Sequence, residues 1–465
     1  MKPISILGLV CLFIMQGGAI AQGPSPAESA FGLQVPAPGA DAFADEVLQQ
    51  ALDKVASAGG GTVVLGAGDF KLSRKAGDET VIIKSNVTLR GQGYATHIYL
   101  DPKTPPNPLR YYPVRIGTET TPANNVVVEN LRYTGNNAKI GGGSIMGFNA
   151  RLGAPEARLL SSNNVTVRNC WIYDAQQAAG CTKENVHVYG DADRLATQFT
   201  NWQVCHNYID TCGNKAVELA ECNGGLIADN YITNTKDGPQ VICGSRNVQI
   251  RDNVVYFTDT GINITEGSNH IRVSGNHVEP VQTINKATLA PCLFFRTEPQ
   301  ANKSVIADVV VTGNIFRNQN TRSKCTMRFQ TRKEAIACAY QGITFTGNVF
   351  DGDIQFLDKT TPGRTTIQDI TFADNVCEGD FVSAPRTIMN SRRVMVRGNQ
   401  LRMAGNYELH ASGWIWSGNI HAAGSLCIVA GAEGNVIHDN VTTTPITDLG
   451  KNTDAASNVV RPHDQ

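Results

Sequence analysis

The sequence predicts an all-β chain wound as a single-stranded parallel β-helix of about 12 coils with an N-terminal capping helix, and three observations carry that prediction. An apolar-x-apolar-x-x-Asn-x-apolar phrase recurs, with its asparagine at Asn130, Asn169, Asn207, Asn230, Asn253, Asn276, Asn314, Asn348, Asn375, Asn399, Asn419 and Asn440. The intervals between Asn207, Asn230, Asn253 and Asn276 are each 23 residues, room for three short strands and their bends. Within the phrases apolar and polar residues alternate, as in Val248, Ile250, Arg251 and Ile271, Val273, Ser274, which is the period of strands. Intervals of 38 residues, from Asn169 to Asn207 and from Asn276 to Asn314, read as one coil plus a loop of about 15 residues.

The elements follow in chain order. MKPISILGLVCLFIMQGGAIAQG carries Lys2, an apolar run from Ile4 to Met15 and the small-x-small ending Ala19-Ile20-Ala21, so residues 1–21 are expected to be a secretory signal, cleaved before Gln22. Val10 ahead of Cys11 argues against a lipoprotein site. The mature chain is therefore expected to be secreted or periplasmic. Residues 22–40, rich in Pro, Ala and Ser, read as a linker, and 41–441 as the β-helix with its cap. In the cap, DAFADEVLQQALDKVASAGGG, Asp41 is expected to cap, Val47, Leu48, Ala51, Leu52 and Val55 to share one helical face, and Gly59 to Gly61 to stop the helix. GGTVVLGAGDFKLS and VIIKSNVTLRGQG then start the coils. Residues 442–465 lose the repeat and read as a polar tail, a short terminal cover or a frayed end.

The recurring asparagine has a geometric reading: a sharp bend between strands needs a residue that tolerates left-handed φ, and the side-chain amide can bond to the asparagine one coil away. The same frame creates Asn-x-Thr sequons at Asn164, Asn263 and Asn440.

Composition removes several functions. Of 465 residues 17% are charged, and the net charge of −1 gives a nucleic-acid role no electrostatic footprint. Beyond the signal no window approaches a membrane span. Most cysteines lie in apolar strand phrases, as Cys170, Cys205, Cys243 and Cys377 do, and read as small buried hydrophobes; Cys325 and Cys338, flanking CTMRFQTRKEAIAC, are a disulfide candidate. With no CxxC and no His cluster at ligand spacing, no metal site is assigned.

The helix running into GGGTVVLGAGDFKL, followed by KSNVTLRGQG, resembles the first coils of the pectate-lyase-like superfamily of right-handed parallel β-helix proteins, which includes polysaccharide lyases, polygalacturonase-type glycoside hydrolases and phage tailspikes. The resemblance implies a right-handed winding and a polysaccharide partner. NTKDG at 234–238 resembles the Asn-Thr-Asp phrase of polygalacturonases with a lysine inserted, but no Asp-Asp pair follows one coil later, and Gly-His-Gly and Arg-Ile-Lys are missing. CGNKAVEL at 212–219 is similar to a phrase of fructan-converting β-helix transferases.

In a solenoid, outward side chains of successive coils form ladders. KAVELAE, PQVICGS, GINITEG, CLFFRTE and CTMRFQT are expected to stack as one sheet, with Val241 and Cys243 among the inward residues and Glu218, Ile242, Asn263, Thr265, Arg296 and Arg328 pointing outward. At the bend before it, Lys215, Asp237 and Asp259 take nearly equivalent places on three coils. The candidate catalytic residues are Glu218, Asp237, Asp259 and Lys215, because neighbouring carboxylates push one pKa upward and can divide the roles of proton donor and ionised partner. Asn263, Arg296 and Arg328 are the candidate substrate-binding residues. Ordinary turn chemistry competes for Asp237-Gly238 and Asp259-Thr260-Gly261, and His270 and His277 read as polar surface.

The function favoured on these residues is a secreted glycoside hydrolase acting on a polysaccharide without a cofactor, as a monomer or homotrimer. A lyase or epimerase on a uronate polymer is the alternative, with Lys215 or Arg296 as base and calcium held by Asp237, Asp259 and Glu221. A fructan-converting transferase and a non-catalytic glycan-binding surface protein stay open as well.

Overall fold

The computed structural model describes residues 31–39, 41–73, 79–103, 112–118, 120–135, 143–148, 160–182, 198–281, 291–297, 304–319, 324–331, 338–356, 365–382, 390–402 and 407–461. The expected signal at 1–21 lies outside them.

Each coil contributes up to three strands, and every strand pairs in parallel with its equivalent on the next coil. The first sheet runs from Gly32–Val35 to Asp454–Ala456 and counts 16 strands among the described residues, more than the coils implied by the asparagine phrases. A second series of short strands includes Trp171–Tyr173 and Tyr208–Asp210, and a third includes Gln177–Thr182, Lys215–Ala220, Ile262–Thr265, Leu293–Thr297 and Cys325–Thr331. The strand Tyr231–Ile242 runs through both series without a break. Alternation does what the sequence implies: Val248, Ile250, Ile271 and Val273 point into one continuous apolar lumen that extends along the cylinder, where rings such as Phe295 and Phe329 stack at 4.6 Å.

The corner after the first sheet corrects the expected role of asparagine. From Asn207 to Asn458 each ladder asparagine offers its Oδ1 to the backbone N–H and Nδ2 of the one before, with Asn230 Oδ1 3.0 Å from both Asn207 donors. Nδ2 also donates to lumen-side carbonyls, as Asn253 does to Ile227 O at 2.9 Å. The left-handed φ belongs to the residue before: His206, Asp229, Asp252, Gly275, Gly313, Gly347, Asp374, Gly398, Gly418 and Asp439. Asn130 (φ 55°) and Asn169 (φ 53°) occupy that left-handed position themselves. Cys170 takes the ladder place next to Asn207, its N–H donating to Asn207 Oδ1 at 3.0 Å. The sequons at Asn263 and Asn440 are buried in this architecture.

The capping helix is Asp45–Ser57. Leu48, Ala51, Leu52 and Val55 are buried, whereas Val47 is 39% exposed and does not share their face. Asp41 is not the cap; Ala44 holds that position without a side-chain bond, and the buried Asp45 instead accepts Ser73 N–H at 3.0 Å, pinning the helix to the first coil. Gly60 (φ 120°) ends the helix where any Cβ would press on Asn86.

Two boundaries differ from the sequence reading. Gly32–Val35, expected within a linker, pairs with Gly61–Leu65 and begins the first sheet. The expected polar tail keeps winding: Asp454–Ala456 pairs with Val436–His438, Val459–Val460 with Val441–Thr442, and Asn458 extends the asparagine ladder. Cys325 and Cys338 do not form the expected disulfide, and the cysteines among the described residues are mostly buried thiols. Burial pushes the Cys170 thiol up to about 12, which makes it inert as a nucleophile. No helix among the described residues is long and apolar enough to cross a membrane.

Candidate functional site

The third sheet stacks the five phrases as expected, but its rungs are set by backbone register. Gly180, Glu218, Gln240, Asn263, Phe294, Arg328 and Gln355 form one outward row. Thr265, Arg296 and Gln330 form another, two residues further on. Asn263 and Arg328 thus share Glu218's row and Arg296 does not, although its guanidinium reaches back over the Phe294 ring at 5.6 Å. Ile242 pairs with Ala220, and with Cys243 these make a small apolar cluster apart from the lumen. Cys243, expected to point inward, sits instead at a left-handed bend (φ 59°). Thr265 is fully buried.

Glu218 faces away from the lumen yet is only 3% exposed. One of its oxygens, Oε2, is held by the Lys215 ammonium and by Gln177 Nε2 at 3.2 Å. An ionised carboxylate at this depth needs such a partner, since burying an uncompensated charge costs several kcal/mol or more. Gln177 is itself buried, and its Oε1 has no hydrogen-bond partner, an orphaned acceptor beside the carboxylate. The next rung below Glu218 is Gly180 (φ 140°), whose missing Cβ would collide with the Glu218 backbone. Only glycine permits this approach, and it leaves the space beside Glu218 without a side chain.

Asp237 is the register partner of Lys215, on the neighbouring coil about 4.8 Å away. It lies opposite Thr260, whose hydroxyl donates to Asp237 Oδ1 at 2.5 Å, while Asn263 Nδ2 donates to Thr260 Oγ1 at 2.8 Å. Burial raises the Asp237 carboxyl above its ordinary value, the Thr260 hydroxyl opposes this, the Asp259 charge adds to it, and Lys236 and Lys215 work against it. Asp259 is therefore close enough to act on Asp237 but is not on its rung. It pairs with Lys236 at 4.0 Å, both side chains substantially exposed, in the manner of a surface ion pair. Lys215 stands between the buried Glu218 and the half-buried Asp237: its ammonium binds the first and its charge acts on the second. His270 is exposed as expected, and His277, partly exposed, lies beside Glu279 at 3.3 Å.

The corner after this sheet holds a group that the sequence reading met only in part. Glu221 (φ 50°), Cys243 (φ 59°) and Glu266 (φ 53°) lie on successive coils in left-handed conformation, all buried, and Cys243 Sγ donates to Glu266 Oε2 at 3.2 Å. A non-glycine left-handed residue costs about 1–2 kcal/mol. Gln177 and Gln240 were missed outright. Neutral amides on strands give no signal of their own; only the register to Glu218 reveals them. Among the described residues no group of three or more His, Cys, Asp or Glu is placed to hold a metal ion.

Residues 158–285 match a family model described as a right-handed β-helix region, a stretch that contains Lys215, Glu218 and Asp237. No curated protein matches the sequence. Solved structures share the fold at low identity. The tailspike protein of E. coli bacteriophage HK620, as a double mutant in complex with a pentasaccharide, is 13% identical with a TM-score of 0.63, over 90% of this chain and 77% of the tailspike chain. A second double mutant of that tailspike is 13% identical with a TM-score of 0.60, over 89% and 75%. The A-module of the Azotobacter vinelandii mannuronan C-5 epimerase AlgE4 is 16% identical with a TM-score of 0.48, over 75% and 96%. The fold is thus the right-handed parallel β-helix, the architecture that the first coils imply.

Proposed function

We propose that the chain is a secreted polysaccharide-cleaving enzyme of the glycoside hydrolase type, with Asp237 as proton donor and Glu218 as the ionised partner. The observation that carries this reading is the pair itself: a carboxyl raised by burial and a buried carboxylate compensated by Lys215, set on neighbouring coils. A raised carboxyl stays protonated nearer to neutral pH and can give its proton to a glycosidic oxygen as the bond to the sugar breaks. Glu218 accepts a proton from the attacking water. Lys215, which neutralises Glu218, lies three residues before it, so the acids are offset by roughly 10 Å along the strand as well as by one coil. Gln177 Oε1, Gln240 and Asn263 are the groups to bind sugar hydroxyls. The tailspike of like fold is seen with a pentasaccharide, which agrees with a glycan ligand here.

Elimination on a uronate polymer is the second reading, favoured by Arg328 and Arg296 on the same face, which suit a carboxylate by their forked donors. One experiment separates the two: incubation with a panel of neutral and acidic polysaccharides, following both new reducing ends and the ultraviolet absorbance of unsaturated products. Reducing ends without absorbance support hydrolysis, and absorbance supports elimination. The hydrolase activity should fall as pH rises through the elevated Asp237 value, because the donor is then ionised. An activity that instead climbs through that range would remove Asp237 from the donor role.

A further inference from the structure

Away from the acids, the outer face of the second strand series carries a row of aromatic rings. Trp171, Tyr208 and Tyr231 are register partners on three successive coils. Tyr94 meets Trp171 at 5.5 Å, Trp171 meets Tyr208 at 5.9 Å, and Tyr208 stacks on Tyr231 at 5.4 Å with planes 8° apart. Tyr256 continues at 5.9 Å from Tyr231, and His277 at 6.1 Å from Tyr256. Tyr94 is 54% and Tyr231 43% exposed, and the other four are partly exposed. Only 7% of the chain is aromatic, and many of the remaining rings fill the lumen, so this outward series has no part in the core.

The rings follow one another at the coil spacing, about the length of one sugar unit. Because Tyr208 and Tyr231 lie face to face, their apolar edges and polar tips line the strip, where an extended glycan can lie across the edges and bond to the tyrosine hydroxyls. Among the described residues the charges beside the row lean acidic: Arg132, whose guanidinium lies over Trp171 at 5.9 Å, and Arg317 stand against Asp210, Glu279 and Asp351, the last ion-paired to Arg317 at 3.1 Å. A strip with an excess of acids repels a polyanion and leaves an uncharged chain as the fitting ligand.

We propose that this row is a second carbohydrate-binding site, which holds an extended neutral glycan parallel to the helix axis. The ligand class rests on the polysaccharide reading above; the binding itself does not depend on the acids. The test is affinity electrophoresis in gels containing neutral galactomannan or dextran, or the polyanions alginate or polygalacturonate. The parent protein and Glu218→Gln should be retarded in a neutral gel, and Tyr208→Ala/Tyr231→Ala should lose roughly tenfold in affinity. Tyr231→Ser, at the most exposed of the stacked positions, serves as a second variant should the double one fail to fold. Equal retardation of parent and folded tyrosine variants overturns the proposal, as does retardation by polyanions alone. So does a parent that no gel retards, including one whose tyrosines instead hold two copies together on a sizing column. Cleavage that proceeds while the row variants bind like the parent removes this site and leaves the catalytic reading. Retardation without cleavage of any polymer does the reverse.

Discussion

Two stacks run side by side along this cylinder and differ in kind. At the corner after the first sheet the same residue recurs on coil after coil, from Asn207 to Asn458, each making the same bonds to its neighbours. On the outer face of the third sheet the residue changes from each rung to the next, Gly180, Glu218, Gln240, Asn263, Phe294 and Arg328 in turn. Uniformity is what a scaffold needs, since each rung solves one bend. Variety at equivalent places has no such cause, and it coincides with buried charge and an orphaned acceptor. In a solenoid, departure from the repeat is where chemistry is to be sought.

The contrast can be broken by exchanging the consequences of substitution. Glu218→Gln, nearly isosteric, should lower turnover by about 10²–10⁴-fold while circular dichroism and the urea midpoint stay near the parent values. A large loss of stability with turnover retained would place Glu218 with the scaffold instead. Asn253→Ala should do the opposite. It removes the acceptor of Asn230 N–H and Nδ2 and leaves buried donors unpaired, so it should cost about 3 kcal/mol or more, read as a lower urea midpoint. His421 tests the scaffold near the last coils: it accepts from Trp416 Nε1 at 3.0 Å, and burial depresses it to about 4. Its folded value lies below the unfolded one, so the unfolded chain binds the extra proton between those values, and stability falls as pH drops from about 6.5 toward 4. The loss at pH 5 should be about 2 kcal/mol, and His421→Gln should flatten that acid slope. Smallest of all, Asp259→Asn should change turnover by no more than about twofold, because its exposed pair with Lys236 is screened. A drop as large as that of Asp237→Asn would return Asp259 to the site.

The coil architecture was legible because 23-residue spacing and alternation are written in residue types. What the asparagine did at the bend was not, because tolerance of left-handed φ made it a plausible occupant; the Asp or Gly immediately before it, from Asp229 to Asp439, holds that conformation. The site was half legible. Lys215 and Asp237 do face each other, and Glu218 does point outward. The apolar phrases, however, suggest Val241 and Cys243 as an inward pair, whereas the register sets Val241 beside Leu219 and Gln240 beside Glu218, and Cys243 falls at the bend. Asp237 and Asp259 take nearly equivalent places just before a glycine bend, but one period of 23 from Asp237 ends on Thr260. Burial of the outward row left no mark in the sequence, since strand alternation says which way a side chain points and nothing about what lies over it. The winding beyond residue 442 was hidden for another reason: Val459–Val460 and Asp454–Ala456 keep the pairing in strands that are exposed throughout and too short to show an alternation.

Dependence on the nearest coil alone also governs how the molecule would fail. Heat or a protease that strips a terminal turn meets, at the next one, a rung as complete as the first, so erosion proceeds stepwise from the ends. The strip from Lys215 to Arg328 has finished turns stacked on both sides of it. A partly worn molecule therefore keeps that strip intact until the damage reaches the middle.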